Sequence, residues 1–319
     1  MARFRDYTPQ GVIPAAILAF DDDFGINKSE TRRHFLYLSN VEGISAITVN
    51  GHSSEVHACS HEEQSLILNL ASETVGDNIP LINGIYADGS IEAARLAKRA
   101  DDLGASALLC FPPHSMRMGG VQHRPEMALT HFKCIADATD LPLIVFQYGD
   151  ELAYSLDTLV ELTEEVPSIA AVKDWSVPQK HETHIRVLQS LPRPVNVLST
   201  NSAWLMSSLV MGANGLLSGA GSVIADLHVK LYRAVQSNDL ETAKRISDSI
   251  WHTTGVFYRD PFGDMHNRMK EALVLLGRQN KAIVRPPLVK LKQTEIAMIA
   301  EALDAAGLSS DGTSRAAAE

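Results

Sequence analysis

The run Ile169-Ala170-Ala171-Val172-Lys173-Asp174-Trp175 opens as an apolar stretch with the composition and length of a buried strand, and the apolar part stops on a lysine. An ammonium on such a strand is expensive to bury unless it is paired or gives up its proton. Two readings follow. In one, Lys173 runs its stem along apolar surface to reach water, or meets Asp174 in an ion pair. In the other, the apolar wall lowers the pKa of the amine, and Lys173 is a nucleophile that forms a Schiff base with a carbonyl substrate.

Working outward, apolar strand-like runs alternate with amphipathic helical stretches. The runs are Val12–Phe20, Ile44–Asn50, Pro80–Tyr86, Ala107–Phe111, Leu141–Tyr148, Ile169–Asp174, Val195–Ser199 and Gly215–Ser218. Helical patterns between them include Ser29–Asn40, His61–Val75, Ile91–Leu103, Pro125–Ala138 and Leu156–Glu165. The strands are apolar throughout instead of alternating, which is the mark of a parallel sheet covered on both faces. Repeated βα units predict an α/β fold, a (β/α)8 TIM barrel over residues 1–226. No Gly-x-Gly-x-x-Gly follows the first strand, so a dinucleotide-binding fold lacks its main support and no cofactor is expected. Residues 227–308 read as a helical extension packed on the barrel, with helices at Leu227–Gln236, Leu240–Gly255, His266–Leu276 and Gln293–Ala306. The Ser/Ala/Gly-rich tail, residues 309–319, is expected to fray.

Hydrophobic residues make up 45% of the 319 and charged residues 21%, enough to fill a large core. The formal net charge is −10 with no Lys/Arg block, which argues against nucleic acid or an anionic membrane as partner. No apolar run approaches the ~20 residues of a membrane span, and the N-terminal residues lack a signal-peptide core. Cys59, Cys110 and Cys134 are odd in number and widely spaced, as free thiols in a reducing cytoplasm would be.

Barrel active sites sit at the C-terminal ends of the strands. There, Asn50-Gly51-His52-Ser53-Ser54-Glu55 offers a turn whose N–H and hydroxyl groups could converge on a carboxylate, or an ordinary polar turn. Tyr148 ends the fifth strand, either as core or as a proton carrier beside the amine. His114 follows the fourth strand, and Gly215-Leu216-Leu217-Ser218 forms the eighth. One chemistry unites them. Lys173 attacks a ketone, Tyr148 moves protons as the carbinolamine loses water, and the iminium becomes an electron sink. Ser53 can hold Tyr148 and pass its proton. Gly51, His52, Ser54, His114, Asn201 and Leu217 complete the candidate substrate contacts. His52, His57 and His61 do not match a zinc spacing, and no metal is expected. Asp21-Asp22-Asp23 reads as a solvated loop.

The order and spacing of these pieces resemble the dihydrodipicolinate synthase / N-acetylneuraminate lyase family of class I, Schiff-base-forming barrels. The resemblance covers roughly residues 10–307. It rests on the Gly51–Glu55 turn followed by Ser60-His61-Glu62-Glu63, on Tyr148 and Lys173, and on Arg285-Pro286-Pro287-Leu288. It implies Lys173 as imine former, Tyr148 as acid/base and Ser53 as relay, with the backbone of His52 and Ser53 gripping a keto acid's carboxylate. It also implies a homotetramer built as a dimer of dimers. Against the family pattern, His52 and Ser54 replace a hydroxyl residue and a glycine. Tyr148-Gly149-Asp150-Glu151-Leu152 lacks the synthase's arginine. Thr200-Asn201-Ser202-Ala203 replaces the sugar-binding segment of the sialate lyases, and His114 stands where many members insert a neighbour's tyrosine.

The expected activity is that of a cytoplasmic lyase or aldolase joining Lys173 to pyruvate or a related 2-keto acid, with an aldehyde or sugar acid as second substrate. It is dihydrodipicolinate-synthase-like without being that synthase. A 2-keto-3-deoxy sugar acid dehydratase would use the same imine, with His52, His114, Asp150 and Asn201 acting on hydroxyls. A keto-acid-binding barrel without turnover would need neither imine former nor proton carrier.

Overall fold

The computed structural model describes residues 4, 6–118, 120, 124–149, 152–200 and 202–308. Eight parallel strands run β1 (Gly11–Pro14), β2 (Ile47–Val49), β3 (Leu81–Ile85), β4 (Ala107–Cys110), β5 (Leu143–Gln147), β6 (Ile169–Asp174), β7 (Asn196–Ser199) and β8 (Gly215–Ser218). Their order is β1-β8-β7-β6-β5-β4-β3-β2, and bridges Val12↔Ile44 and Ala15↔Thr48 join the two ends into a (β/α)8 barrel. At the β1–β8 seam Gly11 pairs with Gly215; a Cβ on Gly215 would lie 2.1 Å from the Gly11 carbonyl oxygen, so the seam closes only on glycine.

The helices are α1 (Lys28–Ser39), α2 (His61–Val75), α3 (Ser90–Asp102), α4 (Pro125–Ala136), α5 (Leu156–Glu165), α6 (Pro178–Leu188), α7 (Leu205–Val210) and α8 (Gly221–Gln236) around the barrel. Then come α9 (Leu240–Phe257), α10 (Met265–Leu275) and α11 (Gln293–Ala305). Their starts are locally encoded. The Asn27 and Ser155 side chains cap α1 and α5, Ser60 and Glu63 form a reciprocal capping box on α2, and Pro125 and Pro178 open α4 and α6.

Two apolar cores result. One lies between strands and helices. The other fills the barrel and includes Ile13, Ile82, Leu109, Ile144, Ala171, Leu198 and Leu217. The first strand is shorter than the Val12–Phe20 run suggests: beyond Pro14 the chain keeps only single contacts, Ala15 N–H to Ser218 O and Ala16 N–H to Thr48 O. Beyond the isolated bridges at Ala15 and Phe20, the apolar character of Ala15–Phe20 serves burial. The eighth helix begins at Gly221, six residues before the expected Leu227, with a kink at Ile224 (φ −117°, ψ 37°). The tail at 309–319, expected to fray, lies outside the described residues.

Candidate active site

Lys173 and Asp174 part company because successive side chains on a strand point to opposite faces. Lys173 turns into the barrel, where it is 5% exposed, with Nζ 3.8 Å above the centre of the Phe146 ring. It makes no hydrogen bond or ion pair among the described residues, and burial lowers its pKa from 10.5 to about 7. Asp174 turns outward, where His181 Nδ1 and His184 Nδ1 each lie 2.8 Å from its Oδ2, and Ser208 Oγ is 2.7 Å from His181 Nε2. Burial works against this carboxylate, but the two histidine hydrogen bonds outweigh it and hold its pKa below the usual range. The Lys173–Asp174 ion pair is therefore not formed.

Tyr148 follows β5 and packs on Phe146 (ring centres 4.3 Å apart), on the edge of Trp175 (5.6 Å) and on His114 (5.4 Å, 89°). Its hydroxyl has no hydrogen-bond partner among the described residues, and burial raises its pKa, so it stays protonated. Lys173 and Tyr148 line one cavity of about 100 Å³ together with His52, Ser53, Thr200 and Ser202. Around it also stand Trp175, Tyr258, Phe262 and Met265.

The turn after β2 is a three-residue 3-10 helix, His52–Ser54. Its first internal bond runs from Ser54 N–H to Gly51 O (3.1 Å), so the N–H groups of His52 and Ser53 are not consumed by the turn. Ser53 Oγ donates to Ala15 O (2.9 Å) and Ser54 Oγ to Ala16 O (2.7 Å). These bonds pin the turn to the chain leaving β1. The expected Ser53–Tyr148 hydrogen bond is not formed: Ser53 Oγ donates to Ala15 O, and the Tyr148 hydroxyl has no partner among the described residues. Glu55, left-handed at φ 54°, ends the turn and is buried in an ion pair with Lys270 of α10.

The other candidates fall at different depths. His52 reaches the cavity; burial, reinforced by His57, Lys173 and His114, lowers its pKa to about 3, so it is a neutral imidazole at pH 7. Its ring lies 5.9 Å from that of His57 and 5.2 Å from that of His266. His61 points elsewhere, 3.1 Å from Glu92. His114 backs Tyr148 and Tyr86 without lining the cavity. Gly51 and Ser54 shape the turn but do not line the cavity, and Leu217 belongs to the inner core. As substrate contacts these three are corrected: His52 and Ser53, side by side, are the part of the turn that faces the cavity, while Ser54 Oγ anchors the loop to Ala16 O and Leu217 packs in the barrel core. Asn201 and Asp150 lie outside the described residues.

Sequence reasoning confined to strand ends missed Tyr258 and Phe262 of the α9–α10 connection and Met265 at the start of α10, which come over the barrel mouth. Their spacing of four and three, a helical stripe continuing past α9, was the available signal. Tyr258 Oη accepts the N–H of Ala220 (3.0 Å) and sits 3.5 Å from Ser218 Oγ, which in turn is 3.0 Å from Ser202 Oγ.

The sequence profile of the dihydrodipicolinate synthetase family matches residues 8–306. The chain is 27% identical over 308 residues to the 4-hydroxy-tetrahydrodipicolinate synthase of Methanopyrus kandleri, covering 95% of this chain and 98% of that one. Among solved structures it is similar to dihydrodipicolinate synthase from Aquifex aeolicus, at TM-score 0.83 and 23% identity over 94% of this chain and 99% of that one. It is also similar to YagE, a prophage protein of the dihydrodipicolinic acid synthase family from E. coli K12 in complex with pyruvate, at TM-score 0.86 and 21% identity, with 94% and 99% covered. Among the described residues no helix is long and apolar enough to cross a membrane.

Proposed function

The chain belongs to the dihydrodipicolinate synthetase family of lyases and aldolases, and on that footing we propose that it joins Lys173 as a Schiff base to pyruvate or a related 2-keto acid and uses the resulting enamine to make or break a carbon–carbon bond. The observation that carries this reading is Lys173 itself: a buried amine free of hydrogen bonds and ion pairs among the described residues, with its pKa lowered to about 7, in a cavity it shares with the Tyr148 hydroxyl.

The neutral amine attacks the keto carbon. Tyr148, kept protonated by burial, donates to the carbinolamine oxygen as it leaves as water, and takes the proton back from the next step. The N–H groups of His52 and Ser53 receive the carboxylate. His52 acts as a neutral hydrogen-bonding group, its pKa being far below 7. Tyr148-Gly149-Asp150-Glu151-Leu152 carries no arginine, so the second substrate differs from that of the synthase for which the relatives are named. The protein acts in the cytoplasm as a homotetramer on the family's pattern, which sedimentation checks.

Borohydride reduction in the presence of pyruvate, followed by peptide mass analysis, tests the reading. A pyruvyl adduct on Lys173, abolished in a folded Lys173→Ala variant, is the expected result. An unmodified Lys173, or an adduct on another lysine, would overturn it.

A further inference from the structure

The mouth of the Lys173 cavity carries a wall that the imine step does not use. Trp175, Phe262 and Tyr258 stack in series, with ring centres 5.0 Å apart at 27° for the first pair and 5.8 Å at 20° for the second. Trp175 comes from the end of β6 and the other two from the α9–α10 connection, yet all line the same cavity and all are half-buried. Three aromatic rings left half-buried at one mouth are costly in water unless an apolar group covers them.

Size and charge point the same way. A cavity of about 100 Å³, at roughly 10–15 Å³ for each water-sized group, holds a pyruvate and little more. The body of a second reactant must therefore rest at the mouth, along this stack. Lys173 and His52 are the only titratable nitrogen bases among the described lining residues, and no acid or arginine lines the cavity there. Among the described lining residues a charged acceptor would find hydroxyls but no arginine or carboxylate to pair with, and at the mouth its polar groups would face the rings of Trp175 and Phe262.

We propose that the acceptor subsite takes an aromatic aldehyde, its ring laid against the Trp175–Phe262–Tyr258 stack; this rests on the Lys173 imine proposed above. In the step itself the iminium loses a methyl proton, and the enamine carbon forms a bond to the aldehyde carbon. The carbonyl π pair moves to oxygen, which takes a proton. Water then adds to the regenerated iminium, returning the molecule expelled when the imine formed, and releases an aryl 4-hydroxy-2-keto acid and free Lys173.

The test compares benzaldehyde with D-glyceraldehyde as acceptors for pyruvate, reading products by mass spectrometry. Expected is a kcat/KM at least roughly tenfold higher for benzaldehyde, and a benzaldehyde-to-glyceraldehyde ratio that falls about tenfold in Phe262→Ala. Because the ratio is taken within one preparation, loss of folded protein cancels from it. Phe262→Leu keeps apolar bulk without the flat face and gives the same reading if the alanine variant does not fold. Pyruvate trapped on Lys173 with no benzaldehyde product, with glyceraldehyde equal or preferred, or with an unchanged ratio in the variants, would overturn the aromatic subsite alone. Failure of trapping would instead remove the imine on which it stands.

Discussion

Lys173 Nζ lies over the Phe146 ring, and the same burial that makes it a nucleophile makes it a burden on folding. The unfolded chain holds its lysine proton up to about 10.5, while the folded chain gives it up near 7. Between those values the unfolded state binds more protons, so the cost of burying Lys173 eases as pH rises and is fully felt below pH 7. Lys173→Met removes that cost. The variant is expected to be more stable than the wild-type chain by a few kcal/mol at neutral pH, since each tenfold loss of proton affinity on folding costs about 1.4 kcal/mol. The gain should fade toward pH 10.5. Urea unfolding at two pH values checks both size and direction; an equal gain at both would mean that Lys173 titrates normally. For Tyr148→Phe, imine trapping should slow by about 10²- to 10⁴-fold, the usual worth of a positioned acid–base group, and wild-type speed would remove that hydroxyl from the mechanism.

The turn from Gly51 to Glu55 is held from two sides. Its hydroxyls bind the chain leaving β1, while Glu55 meets Lys270 of α10 and accepts the Arg285 N–H (3.1 Å). Arg285 also reaches Ala58 O and Glu63. The terminal helices thus tie down the candidate carboxylate grip. Both members of the Glu55–Lys270 pair are buried, so removing only the amine leaves a stranded carboxylate. Lys270→Met is expected to cost about 3–5 kcal/mol, measured by denaturant unfolding, and Glu55→Leu/Lys270→Met should recover much of it. A single variant as stable as the wild type would show that this pair does not anchor the turn. Legibility in the sequence differs by element for the same kind of reason. Six-residue β6 and capped α2 are written in period and cap. α6 (Pro178–Leu188) escapes a reading by period because its buried face includes His181 and His184, which look polar until Asp174 supplies their partner across the chain. α7, at six residues, is too short to show a period.

At the scale of the whole molecule, barrel closure converts positions scattered from residue 15 to residue 265 into one cavity. Lys173, Tyr148 and His52 could be read from the strand-end rule. Tyr258 and Phe262 of the aromatic wall could not, because they depend on where the chain returns after the barrel is complete. The chain carries a net charge of −10, and the described cavity is lined by no arginine and by one lysine that sheds its charge near pH 7, so an anionic keto acid is not drawn in by the long-range field. Raising salt from low to physiological ionic strength is expected to leave the KM for pyruvate unchanged or lower, since it screens repulsion. A steep rise would reveal a cationic grip on the carboxylate. The claim beneath all of this is that one amine gives up its charge near neutral pH. NMR titration of lysine-labelled protein, with Lys173→Met assigning the resonance, measures it directly: half-protonation near pH 7 is predicted, and a midpoint near 10.5 would contradict the account.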